Sequence, residues 1–178
     1  MSMETNKQKK IDIGKPKKVH RSIKPKTVKI LMGVLEYFAE ETRRLNMSNW
    51  GQYLPDTSVK YSDSLPPCGT RACLAGGVML TTKSGLNYLA KNNMLKPKDT
   101  YYIVEFYDNT PGLAAGILGL TTRQANKLFY FKGWNAGKTV GWQKKFSDAY
   151  DIAKNRGDHD GMFEATKARV FHYIETGN

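Results

Sequence analysis

Thr110-Pro-Gly-Leu-Ala-Ala-Gly-Ile-Leu-Gly119-Leu-Thr121-Thr-Arg-Gln124-Ala-Asn-Lys-Leu-Phe129 holds two helix starts and one helix stop. Proline suits a first helical turn, where an N–H would have no intrahelical acceptor, so Thr110-Pro111 predicts a helix start. Gly119 takes a left-handed conformation without a Cβ penalty and predicts the stop. Thr121-x-x-Gln124 is a capping box: the hydroxyl accepts from the third helical N–H while the glutamine reaches back to the cap. Ala125, Leu128 and Phe129 then share one face, so the segment is helical twice over within a short span.

The same grammar extends in both directions. Ile30, Leu31, Val34, Leu35, Phe38 and Leu45 recur at helical spacing after Thr27, which predicts a capped helix running to about Asn46. Trp142–Asn155 is amphipathic through Phe146, Ala149, Tyr150 and Ala153, with Gly157 as its end. Asp158 or Asp160 is the cap of a last helix carrying Phe163, Val170, Phe171 and Ile174, stopped by Gly177. Ser84–Asn92 reads as a further short helix, and Tyr101–Tyr107 as an edge strand or an apolar loop, with Ser58–Tyr61 a second extended piece. The fold class is therefore all-α: a compact bundle of five to seven short helices, with room for one minor strand or hairpin.

Composition fits this reading. The chain has 178 residues, 40% of them hydrophobic, and two cysteines, too few for a disulfide scaffold. Its apolar runs, around Leu74–Leu80 and Leu113–Leu120, fall short of a membrane span, and no secretory signal precedes them. A cytoplasmic location with no membrane partner is expected. Of the formal net charge of +12, +8 belongs to residues 1–29. Residues 1–26 read as a basic disordered arm, since Lys7, Lys9, Lys10, Lys15, Lys17, Lys18, Arg21, Lys24 and Lys26 come with almost no large apolar residue. Residues 27–178 read as a single helical domain. Such an arm can neutralise phosphates of a nucleic acid or another polyanion, or serve only as a solvated extension.

Cys68-Gly-Thr-Arg-Ala-Cys73-Leu-Ala-Gly-Gly77 is the stretch closest to covalent chemistry. Pro66 and Pro67 stop what precedes it, Thr70 reads as a cap, and a helix is expected from Arg71 to Thr81. A thiol near a helix start gains thiolate character from the dipole. The favoured reading is that both thiols are structural; the candidates for catalysis are Cys68 and Cys73, with His159 or His172 as base, and a reversible disulfide or a metal role is a further alternative. Gly76 and Gly77 inside a helix cost about 1 kcal/mol each against alanine, which predicts very close packing of a neighbour or a ligand.

Cys68–Gly76 as Cys-Gly-Thr-x-x-Cys-x-Ala-Gly, Ala115–Leu120 as Ala-x-x-Leu-Gly-Leu, Ala125–Phe129 as Ala-x-x-Leu-Phe and Ala168–Gly177 as Ala-x-x-x-x-Tyr-Ile-x-Thr-Gly together resemble a family of small uncharacterised helical proteins of bacteria and tailed phages. The resemblance covers roughly residues 27–177. It implies a helical fold and a phage or mobile-element context, and it supplies no catalytic residue. The chain departs from the pattern in its basic N-terminal segment and in Gly77.

Other patterns lead to weaker chemistry. Lys132, Trp134, Lys138 and Trp142 form a basic aromatic loop able to stack on exposed bases, although tryptophans also anchor loops to a core. Gly133 to Gly137-Lys138-Thr139 is one residue short of a phosphate loop. Asp158-His159-Asp160-Gly161 lacks the alternating oxygens of a calcium loop and is better explained by capping. No metal ligand set and no cofactor motif is read. The expected function is non-catalytic binding of nucleic acid or of a larger protein assembly; the alternatives are a thiol enzyme and a virion structural protein.

Overall fold

The computed structural model describes residues 11–45, 51–53, 70–92, 95–98, 101–104, 110–129 and 141–178. Among them are α1 (Pro25–Glu40), a 3-10 turn (Thr42–Arg44), β1 (Gly51–Tyr53), β2 (Thr70–Ala72), α2 (Leu74–Thr81), α3 (Lys83–Lys91), β3 (Leu95–Lys98), β4 (Tyr101–Val104), α4 (Thr110–Leu118), α5 (Thr122–Phe129), α6 (Gly141–Asn155) and α7 (His159–Thr176). The protein is an all-α bundle, as its periodicity predicts. Two short antiparallel strand pairs are added: β1 pairs with β2, Gly51 opposite Ala72, and β3 with β4, Leu95 opposite Val104.

α2 is the centre of the bundle. Every residue from Leu74 to Leu80 is buried, so the helix is apolar all round and can exist only inside a shell of others. α1, α3, α4 and α5 supply that shell, α7 closes it against α1 and α5, and α6 packs on α7. Gly77 lies where α1 crosses: a Cβ there would meet Val34 Cγ1 at 2.7 Å and the Phe38 ring at 3.0 Å. Close helix packing, rather than a ligand, is what offsets the glycine.

Local signals set most boundaries. Thr121 and Gln124 form the capping box, with Gln124 N–H donating to Thr121 Oγ1 at 3.3 Å and Thr121 N–H to Gln124 Oε1 at 2.9 Å. Asp158 Oδ1 accepts from Gly161 N–H at 2.8 Å and caps α7, which ends at Gly177 with φ 75°. Gly119 and Gly157 also sit at positive φ, 67° and 68°.

Three expectations are corrected. α1 starts at Pro25, not after a Thr27 cap, because Thr27 is drawn inward to donate its hydroxyl to Leu118 O at 2.7 Å. α1 stops at Glu40, short of Asn46. Thr42 Oγ1 donates to Asp160 Oδ1 at 2.7 Å, and Arg44 folds back to Tyr37 O and Glu40. The helix expected from Arg71 begins at Leu74 instead: Thr70–Ala72 pairs with Gly51–Tyr53, and Cys73, not Thr70, occupies the N-cap position. Each correction comes from a partner distant in sequence that outweighs a local preference. The extended piece at Ser58–Tyr61 lies outside the described residues.

Candidate polyanion-binding face

The basic segment expected to be a disordered arm is, from residue 11 onward, part of the domain. Ile23 is 5% exposed, and Ile11 and Ile13 pack against the core. These three isoleucines bury apolar surface that the lysine-rich composition hides. The segment lies along the C-terminal end of α7: His20 N–H donates to Ile174 O at 2.8 Å and Lys17 N–H to Glu175 Oε1 at 2.7 Å. His20 Nδ1 and Ser22 Oγ, 2.7 Å apart, press so closely on Gly177 that a Cβ there would meet both at 2.9 Å. Gly177 thus serves twice, for its left-handed turn and for this approach.

Docking the segment here joins two sources of charge. Lys15, Lys17, Lys18, Arg21, Lys24 and Lys26 are exposed on it. Lys24 Nζ reaches the α4–α5 turn, 3.9 Å from where a Gly119 Cβ would stand. α5 then adds Arg123 and Lys127, and α7 adds Arg169. Arg169 is fully buried; its Nη1 donates to Asn178 O at 3.0 Å and its Nη2 to Lys127 O at 2.9 Å. Lys127 Nζ in turn donates to Asn178 Oδ1 at 3.1 Å. Burial, and then the nearby charges of Arg123 and Arg169, push the Lys127 pKa down, while burial alone brings Arg169 to about 10. The nearness of Arg123 and Arg169 to Lys127 concentrates positive charge at this end of α5. Glu175 is an acidic residue against the segment, its Oε1 accepting from the Lys17 main-chain N–H.

The thiol reading fares differently. Cys73 is fully buried, and desolvation pushes its thiol up to about 11 despite the opposing N–H groups of Gly76 and Ala75. The helix-start effect expected to favour thiolate is present but loses to burial. Both histidines sit on α7, thirteen residues apart in sequence, hence about 20 Å along the axis. His159 opens the helix, and the His172 ring meets that of Phe146 in a tilted contact, 5.7 Å between centroids, with its pKa lowered by burial and Arg169. Among the described residues no three His, Cys, Asp or Glu side chains could hold a metal ion. Cys68, Lys132, Trp134, Lys138, Lys7, Lys9 and Lys10 lie outside the described residues, as does the side chain of Trp142.

Arg123, Lys127 and Arg169 were not singled out from the sequence. Arg169 had a signal: a cation inside the apolar register of the last helix, beside Val170. Among the described residues no helix is long and apolar enough to cross a membrane. No family model matches the chain, and neither the curated proteins nor the solved structures offer a match.

Proposed function

We propose that this protein binds nucleic acid, or a polyanion of like charge density, through the face formed by residues 11–26 with Arg123 and Lys127, without catalysis. The observation that carries the proposal is the pinning of the Lys-rich segment to α7 by the Lys17 and His20 main-chain N–H groups, with Lys24 Nζ reaching the α4–α5 turn. A pre-positioned cation array loses little entropy on meeting a phosphate backbone. The work place on this reading is the cytoplasm or a phage particle.

The test is fluorescence anisotropy with labelled single- and double-stranded DNA and RNA at about 50 and 200 mM salt. Deleting residues 1–26 would strip Ile23 from the core, so exposed charges are replaced instead. Lys15, Lys17, Lys18 and Arg21 to Gln should lower the salt-dependence slope by about three to four units, and Arg123→Gln with Lys127→Gln should add to the loss. Absence of binding by the wild type at low salt, or binding indifferent to both sets of substitutions, overturns the proposal.

A further inference from the structure

α4 and α5 are joined by three residues, Gly119, Leu120 and Thr121, and each step of that turn is fixed. Leu120 N–H donates to Ala115 O at 2.9 Å and Gly119 N–H to Gly116 O at 3.1 Å, with Gly119 at φ 67°, which is a Schellman stop. The Thr121–Gln124 box opens α5 immediately afterwards. Ala114, Ala115 and Leu118 of α4 and Ala125, Leu128 and Phe129 of α5 are buried, and both helices pack on α2. Two short helices, a three-residue turn containing glycine and a common apolar underside make a helix-turn-helix.

The outer side of α5 presents Thr122, Arg123 and Asn126, exposed, with Lys127 half-buried beside them. Arginine and asparagine are the side chains whose paired donors and acceptors match the major-groove edges of guanine and adenine. In a DNA-binding helix-turn-helix the second helix enters that groove, and its neighbours hold phosphates. α4 carries no charged residue, so the phosphate grip has to come from elsewhere. Lys24 Nζ lies at the α4–α5 turn, and Thr27 Oγ1, donating to Leu118 O at 2.7 Å, ties the start of α1 and its exposed Lys26 to the same end of α4. Arg169 Nη2 meanwhile steadies the last turn of α5 through Lys127 O. We infer that α5 is a recognition helix for the major groove of duplex DNA, reading base edges through Arg123 and Asn126 while the Lys-rich segment grips the flanking phosphates. The inference rests on the polyanion-binding reading and adds sequence preference to it.

Enrichment by the full chain from a pool of random DNA duplexes of about 20 base pairs, at about 150 mM salt, tests this. Fluorescence anisotropy then compares the enriched duplex with a shuffled one. A shared motif is expected, bound about a hundredfold or more above the shuffled duplex. Asn126→Ala removes no charge, so it should lower that preference about 5- to 100-fold with the salt-dependence slope unchanged. Arg123→Lys, which keeps the charge but loses the planar fork, should act in the same way. Both residues are exposed, and an unchanged circular dichroism spectrum checks that the fold is intact. If duplexes bind in a salt-dependent way but no shared motif emerges, the inference falls and the polyanion-binding reading stands. A motif preferred equally by wild type and both variants also overturns it. Binding of no duplex even at low salt overturns both.

Discussion

The main-chain N–H of Lys17 donates to Glu175 Oε1 across 158 residues of sequence, at 2.7 Å. It is a charge-assisted bond at an exposed site, and with His20–Ile174 it holds the N-terminal segment on the domain. Glu175→Ala should release that hold: limited trypsinolysis should cut after Lys17 and Lys18 several times faster than in the wild type, with the far-ultraviolet spectrum unchanged. Equal cleavage rates would show that Ile23 alone suffices to anchor the segment.

Gly77→Ala places a methyl against Val34 Cγ1 and the Phe38 ring. Overpacking of this kind costs about 1 to 3 kcal/mol, against about 1 kcal/mol gained in helix propensity. A net loss is expected in urea unfolding. In a Val34→Ala background the same substitution should cost less, so the double-mutant cycle should show favourable coupling.

Burial lowers the His172 pKa from 6.5, with Arg169 adding to the shift and Glu175 opposing it. Below 6.5 the unfolded chain therefore takes up a proton that the folded one resists. Stability from this residue is complete above 6.5 and falls as the pH drops toward the folded pKa. The melting temperature should decline between about pH 7 and 5, and His172→Gln should flatten part of that slope.

At alkaline pH the sign reverses. The Cys73 thiol is raised from 9.0 to about 11 and the Tyr173 hydroxyl from 10.0 to about 12, so unfolding releases protons that the folded state keeps. The stability contributed by Cys73 should fall from pH 9 upward, by at most about 2 to 3 kcal/mol, while the lowered Lys127 and Arg169 act in the opposite sense above about pH 10. Cys73→Ala should postpone the onset. In a Cys68→Ser chain at pH 8, iodoacetamide should label Cys73 only at the rate of unfolding; rapid labelling in native buffer would refute its enclosure.

Arg169 joins the end of the chain to the end of α5 through Asn178 O and Lys127 O. Arg169→Met keeps the aliphatic stem but leaves both carbonyls without this donor. A loss of about 1 to 3 kcal/mol is expected from chemical denaturation, the usual worth of hydrogen bonds from a charged donor to partly buried acceptors.

The helices and their ends were largely legible because they rest on near neighbours. The Thr121–Gln124 box, Pro111, the Asp158 cap and the stop at Gly177 each involve residues a few positions apart. So do the apolar faces of α1, α5 and α7. The site was half legible. Its charge is plain in the composition of residues 1–29, but its placement depends on Ile23, Glu175 and Ile174, which meet only in three dimensions.

Sequence alone thus determined an all-α domain with an excess of positive charge at its start, because helix periodicity and net charge are local sums. Tertiary structure decided the rest. It made Thr70–Ala72 a strand by pairing it with Gly51–Tyr53, raised the Cys73 pKa by enclosing the thiol, and turned a presumed loose arm into one edge of a basic face. Strand partners, burial and charge proximity all depend on residues far apart along the chain, and no local pattern encodes them.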